Sequence, residues 1–288
     1  LYTYEKYYDA SDGSSLITSI DSTVQAYVEK NLQNAIDKYD IKNGAFCIVM
    51  DVNTGEIKAM ATLGSYDPNN YLEIYDDTTA LLLENERAAA LALPEASAAY
   101  EAAIETYKQD VAAARMAQWR NRCVSDGYEP GSTFKLITLA SALDSGAVTL
   151  NDSFYCGGQE KFTGREQILN CWKSAGHGAQ TTAQALGNSC NIAFGHIGLR
   201  MGGDTFYDYL KSFGIMEKTG VDLPGEASGL FYERKYLNDP ANYGTSYLIT
   251  SSFGQSFRIT PMQLVRAVAA IVNGGYVLEP YIVSEVVD

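Results

Sequence analysis

Ser132 and Lys135 lie three residues apart in the run Tyr128-Glu129-Pro130-Gly131-Ser132-Thr133-Phe134-Lys135-Leu136-Ile137. Pro130-Gly131 reads as a turn and the apolar run behind it as a helix, which puts Ser132 in the first helical turn. Lys135 then falls on the same helix face, one turn away. A serine hydroxyl is a poor nucleophile until a neighbouring base takes its proton, and a desolvated, neutral lysine is such a base. The positive field of a helix N-terminus favours the alkoxide and helps depress the amine pKa. The same spacing also describes a solvated serine and lysine on a surface helix, so the pair needs company to mean chemistry.

Company comes 57 residues later, in Gly187-Asn188-Ser189-Cys190-Asn191. A hydroxyl (Ser189) and a carboxamide (Asn191) two residues apart on a tight loop are suited to relaying a proton and to hydrogen-bonding an amide substrate. The competing reading is a helix cap, with Asn188 or Ser189 starting the apolar helix that follows.

Ser-x-x-Lys followed by Ser-x-Asn is the order found in penicillin-recognising serine enzymes. Four longer stretches carry the resemblance further: Asp51 to Met60, Tyr128 to Leu136, Phe213 to Glu226 and Gly254 to Gly275. Together they resemble the transpeptidase domain of a class B penicillin-binding protein, within the stage V sporulation protein D and FtsI group, over nearly all of the chain except about 76–118. The resemblance implies an α/β (α+β) fold, the penicillin-binding protein and serine β-lactamase type, with an antiparallel sheet flanked by helices. It also implies a D-alanyl-D-alanine transpeptidase that cross-links peptidoglycan stem peptides through an acyl-enzyme on Ser132 and is the target of β-lactams. A role in spore cortex synthesis, a membrane glycosyltransferase partner and a place on the extracytoplasmic face of a bacterial membrane follow from the same likeness. Three other classes stand beside this one: a β-lactam sensor, a non-catalytic morphogenesis module and a serine β-lactamase.

Cys156, Cys171, His177 and Cys190 occur within 35 residues, between and inside the two catalytic motifs. Three cysteines and a histidine make a tetrahedral zinc set, and zinc would stabilise a loop-rich region. Cys190 sits inside the Ser189–Asn191 triplet, so a metal there would brace two catalytic residues from behind. The extracytoplasmic location implied above offers an alternative, a Cys156–Cys171 disulfide acting as a redox switch; free thiols are the third. Cys47 reads as a buried strand residue, Cys123 as unpartnered, and His196 as a structural helix residue.

Two strings imitate catalytic motifs. Lys218-Thr219-Gly220 has the letters of the Lys-Thr/Ser-Gly cleft strand, but it precedes the long helix that the cleft strand should follow, so it is read as a structural turn. Glu166-Gln167-Ile168-Leu169-Asn170 has the letters of a deacylating motif on the wrong side of Ser189, and Glu166 is read as a loop carboxylate. On this reading the cleft Lys-Thr/Ser-Gly and one oxyanion-hole N–H belong after Asp288, and the 288 residues look like an excised piece without anchor or pedestal that folds poorly alone.

The elements that must position these groups are legible from pattern. Residues 1–20 read as a linker or pedestal remnant and 21–288 as the transpeptidase domain. A helix is expected over 21–39, capped by Asp21 or Ser22, then a hairpin from Ala45 to Ala61 turning at Asn53-Thr54-Gly55. A two-helix insertion breaks at Pro94. Beyond it come an irregular stretch over 151–180, helices over 190–201 and 204–213, a helix from Thr260-Pro261 to Val272, and a final strand over 280–287. Of the 288 residues 46% are hydrophobic and 19% charged, ordinary globular values. A net charge of −14 argues against nucleic acid as a partner and against direct adhesion to anionic lipid. No apolar run of about 20 residues exists to span a bilayer.

Overall fold

The computed structural model describes residues 13–42, 44–62, 64–239 and 243–287. Helix α1 (Ser22–Tyr39) begins where Asp21 accepts the backbone N–H of Thr23 and Val24 at 2.8 and 3.0 Å. Its half-buried stripe of Val24, Val28, Leu32 and Ile36 covers the hairpin of β2 (Phe46–Met50) and β3 (Ile57–Thr62). The Gln25 amide clamps the two together, donating to Met60 O at 2.9 Å and accepting from Met60 N–H at 2.8 Å. The expected turn forms at 51–55, with Asp51 taking the N–H of Asn53 at 2.8 Å.

One boundary needs correction. The segment read as a linker contains β1 (Ser15–Thr18), which pairs antiparallel with β8 (Val283–Val287), Ser15 opposite Val287 and Leu16 opposite Val286. Ser19 fastens that ribbon to the hairpin, its hydroxyl donating to Ile57 O at 2.8 Å. A serine-rich stretch looked like linker because only Leu16 and Ile17 show strand character, and both lie on an exposed ribbon. Residues 1–12 of that segment lie outside the described residues.

The sheet also differs in extent. The described strands form four separate two-stranded antiparallel ribbons, and the β2–β3 hairpin gains only a single bridge, Glu56 to Tyr281. The helical insertion is an antiparallel pair, α2 (Asp77–Leu91) and α3 (Ala98–Trp119), capped by Asp76 and Ser97 and separated around Pro94 as expected. It is anchored at its base by Trp119 Nε1 and Arg115 Nε, which donate to Tyr71 O and Leu72 O at 2.8 and 2.7 Å.

The main core gathers on α5 (Lys135–Asp144), α7 (Asn191–Ser212), α9 (Gly244–Ser252) and α10 (Pro261–Val272). The two helices expected over 190–201 and 204–213 both form, run together as α7 and broken at Gly202, whose φ of 75° is not helical. Gly198 lets α9 approach: a Cβ there would lie 2.8 Å from Ser252 Cβ. Ser252 exploits the contact by donating to Phe194 O at 2.8 Å. Helix α10 starts as its sequence requires, with Pro261 in the first turn and a Thr260–Gln263 capping box.

Lys218-Thr219-Gly220 is a scaffold turn. The Glu226 carboxylate accepts Thr219 N–H at 2.6 Å and Gly220 N–H at 3.2 Å, while buried Arg266 donates to Thr219 O at 3.0 Å. Glu166 is an exposed loop residue whose carbonyl accepts from Lys161.

Gly254 joins this frame to the serine turn. Its carbonyl accepts Gly131 N–H at 2.9 Å, its φ is +84°, and a Cβ would stand 2.0 Å from Gly131 O. Both the left-handed backbone and the contact exclude a side chain. Gly254→Ala is expected to lower the free energy of unfolding by about 2–4 kcal/mol, as measured by urea titration, with the serine turn displaced.

Candidate active site

Ser132 occupies a 3₁₀ turn, Gly131–Phe134, that runs directly into α5. Thr133 Oγ1 ties the turn down by donating to Pro130 O at 2.6 Å. Phe134 anchors it from below, edge to face with Phe257 at 4.7 Å between centroids. Ser132 is therefore exposed on a rigid base, while Lys135, one turn on, is 1% exposed.

The second motif arrives through a helix end. Helix α6 (Thr182–Gly187) closes with Ser189 N–H donating to Leu186 O at 2.9 Å and Cys190 N–H donating to Ala185 O at 3.0 Å. That bond pair is a Schellman ending, whose left-handed position usually falls to glycine. Here Ser189 holds it, with φ of 50°. A non-glycine residue in that region is strained, and such strain concentrates at functional sites. The helix cap expected at Asn188 or Ser189 is supplied instead by Cys190, whose Sγ accepts Ala193 N–H at 3.5 Å and starts α7. Asn191 becomes the first residue of α7, aimed back at the serine turn.

These elements converge on one atom. Lys135 Nζ lies 3.1 Å from Ser132 Oγ, 3.0 Å from Ser189 Oγ, 2.8 Å from Ser189 O and 2.8 Å from Asn191 Oδ1. All four residues singled out from the sequence are thus brought together around the amine. Burial removes hydration from the ammonium and pushes the Lys135 pKa down to about 8, against a smaller opposing pull from Cys171 and Cys190. At that value about one tenth of the amine is neutral at pH 7, against about one part in three thousand for free lysine.

Behind this cluster, ribbon β4 (Ser153–Cys156) with β7 (Gly178–Thr181) and ribbon β5 (Gln159–Glu160) with β6 (Leu169–Asn170) organise the stretch expected to be irregular. Cys156 ends β4, Cys171 follows β6, His177 precedes β7 and Cys190 caps α7. One candidate ligand atom from each lies within 4.8 Å of all the others. All five cysteines are free thiols, so Cys156 and Cys171 are not bridged. Burial raises the Cys190 thiol to about 12. Burial pulls Cys171 upward too, but hydrogen bonds from the backbone N–H of Lys173 and Asn191 outweigh it and leave this thiol lowered. Burial first, then Lys173 and Lys135, lower the pKa of His177 and favour its neutral form.

Cys47 is half-buried on β2, and buried Cys123 lies in α4 (Arg122–Ser125), where burial raises its thiol to about 12. His196 is structural, as expected: its Nε2 lies 2.8 Å from Glu160 Oε1, and its ring packs on Phe162 at 4.7 Å. Two residues escaped the sequence reading. Gln180 is 4% exposed, and its Oε1 accepts from Asn188 Nδ2 at 2.9 Å. Exposed Trp172 donates its indole N–H to Asn188 O at 3.0 Å. Only the adjacency of Trp172 to Cys171 hinted at the second.

Comparison with known proteins identifies the family. The family described as penicillin binding protein transpeptidase domain matches residues 45–288. Stage V sporulation protein D of Bacillus subtilis is 34% identical over 285 residues, covering 99% of this chain and 37% of that protein. Peptidoglycan D,D-transpeptidase FtsI of Escherichia coli is 27% identical over 277 residues, covering 93% of this chain and 37% of that protein. The crystal structure of Pseudomonas aeruginosa PBP2 in complex with WCK 5153 shares the fold, with a TM-score of 0.70 and 24% identity over 95% of this chain and 55% of that one. The chain thus spans little more than a third of the length of these two curated relatives. No described helix is long and apolar enough to cross a membrane. With its Ser-x-x-Lys and Ser-x-Asn motifs gathered around one buried amine, the chain belongs to the penicillin-binding protein transpeptidase family.

Proposed function

We propose that this chain is the acyl-transfer part of a D-alanyl-D-alanine transpeptidase that cross-links peptidoglycan stem peptides at the outer face of a bacterial membrane. The observation that carries the reading is the single buried amine with two hydroxyls and two pure acceptors around it. A neutral amine has two N–H donors and one lone pair. Ser189 O and Asn191 Oδ1 cannot donate a proton to it, so they take the two N–H groups. The lone pair is left for a hydroxyl, with Ser132 Oγ at 3.1 Å and Ser189 Oγ at 3.0 Å. That arrangement supports Lys135 as general base and Ser132, the more exposed of the two hydroxyls, as nucleophile.

Ser132 Oγ attacks the carbonyl of the penultimate D-Ala and gives its proton to Lys135 Nζ. Its backbone N–H donates to the developing oxyanion. The tetrahedral adduct collapses as the C–N bond breaks, and the proton returns from Lys135 through Ser189 Oγ to the departing D-Ala amine. An acceptor amine then reverses these steps and restores Ser132. A β-lactam carbonyl meets the same nucleophile, which supports inhibition by acylation. The names of the relatives support peptidoglycan as substrate and sporulation as one setting; a membrane glycosyltransferase is the working partner this reading calls for.

The thiol cluster belongs to the same proposal as a structural zinc site. Zinc–sulfur bonds of about 2.3 Å place tetrahedral ligands about 3.8 Å apart, so the observed spacing closes with small side-chain movements. The donor set is apt, and His177 Nε2 is buried without a hydrogen-bond partner. Zinc would cross-link the ends of β4, β6 and the 177 loop to the cap of α7. Cys190 holds that cap between Ser189 and Asn191, so the metal would fix both without touching substrate.

Three outcomes test this function. Ser132→Ala should abolish covalent labelling by a fluorescent penicillin; surviving label removes the mechanism. The wild-type acylation rate should rise about tenfold per pH unit below pH 8 and level off above it, because only the unprotonated amine accepts the serine proton. A flat profile from pH 6 to 9 would remove Lys135 as the base. Elemental analysis should find one zinc per chain, lost in Cys171→Ser together with most of the acylation rate; a metal-free protein with fewer than five titratable thiols would replace zinc by a disulfide.

A further inference from the structure

Gln180 is buried, and the two ends of its carboxamide meet different surroundings. Its Oε1 accepts from Asn188 Nδ2 at 2.9 Å. Its Nε2 is buried without a hydrogen bond. The backbone beneath is fixed at both ends of β7. At one end Gly178 stands opposite Cys156 of β4, directly after His177. At the other, Thr181 Oγ1 accepts Gln184 N–H at 3.2 Å and starts α6, the helix that closes at Ser189.

A buried amide donor without an acceptor is destabilising, and such a group in a folded protein needs a reason. The group it faces is the Cys190 sulfur. Burial raises that thiol, while the Ala193 N–H and, after it, the Gln180 amide pull the other way by favouring the thiolate. A neutral thiol is a weak acceptor, whereas an ionised sulfur takes N–H donors strongly. Cys190 Sγ already accepts Ala193 N–H at 3.5 Å as the cap of α7. A metal-bound cysteine is a thiolate. The donor that a thiol leaves idle is therefore the one that a metal-bound sulfur at Cys190 would engage.

We propose that Gln180 is a positioning residue that couples the zinc site to Ser189, its oxygen holding Asn188 and its N–H donating to the metal-bound sulfur of Cys190. This rests on the zinc and acyl-transfer readings given above. Asn188 and Cys190 are the two neighbours of Ser189, so with the metal in place one buried side chain grips the loop on both sides of the hydroxyl. Ser189 needs that grip because its φ of 50° is strained and holds only where the surroundings allow nothing else. Without the metal only the Asn188 half of the bridge remains. Partners of this kind orient the ligands of a metal and raise its affinity.

The test loads the isotope-labelled full chain with a spin-active cadmium isotope in place of zinc. An N–H that donates to a metal-bound sulfur carries a scalar coupling to the metal, so the Gln180 side-chain amide proton, assigned through its own backbone, should be split by cadmium. Gln180→Met keeps the volume and removes both hydrogen bonds. It should weaken zinc binding about 10–100-fold in competition with a chelator, and slow benzylpenicillin acylation of the zinc-loaded protein about tenfold. If the methionine variant fails to fold, the coupling in the wild-type protein decides alone. Bound cadmium with an uncoupled Gln180 amide, or an unchanged zinc affinity in Gln180→Met, overturns the bridge and leaves the zinc and acyl-transfer readings standing. A wild-type chain that binds no metal removes the zinc reading and the bridge together. Absence of any mass increase on Ser132 with benzylpenicillin removes acyl transfer and, with it, the role of Gln180 in positioning Ser189 for that step.

Discussion

An ammonium ion stripped of water is destabilised by several kcal/mol unless other oxygens replace its hydration, and at Lys135 the replacement comes from residues that no single element could supply. Ser132 is on the turn that leads into α5, Ser189 on the end of α6 and Asn191 on the start of α7. Packing α5 against α7 is what brings them to one point, and Phe134, Ile137, Ile192 and Phe194 are fully buried where those helices meet. The same burial that lowers the amine pKa also makes it intolerant of displacement. Losing one acceptor would leave a polar group in an apolar surround, at a cost of about 1–3 kcal/mol.

Local signals gave the helices, and the residues that converge on the buried amine, almost completely. Asp21, Pro94, Thr260 and Pro261 mark helix ends that occur where those residue types dictate, and the Ser-x-x-Lys and Ser-x-Asn spacings named all four groups around the amine. Pattern failed where the deciding contact is remote or unusual. Strand β1 was hidden because its partner lies some 270 residues away, and two apolar positions carry little strand signal. The helix cap was misplaced by one residue because Cys190, a rarer cap than serine or asparagine, does the work. Trp172 could not be read at all, since an exposed aromatic next to a cysteine has no periodicity to report.

The thiol cluster was legible both as a candidate ligand set and as a brace for the Ser189–Asn191 loop, but the backbone around it was not. Residues 151–181 contain only four short strands, two of them of two residues. Short ribbons alone are marginal in water. Rigidity here comes from close backbone contacts at Gly158 and Gly176 within the region and from the Glu160–His196 pair, which binds β5 to α7.

Ser189 shows why that rigidity has to be local. Its left-handed backbone is strained by something on the order of 1 kcal/mol relative to glycine, yet glycine would lack the hydroxyl that sits 3.0 Å from Lys135. A strained residue keeps its geometry only when its neighbours leave no alternative. Asn188 on one side is held by Gln180 through its side chain and by Trp172 through its carbonyl. Cys190 on the other side is held by two helices at once, closing α6 with its N–H and capping α7 with its sulfur. The Ser189 hydroxyl is therefore fixed by its flanking residues, and the parts of the chain that look least regular are the ones that hold those residues still.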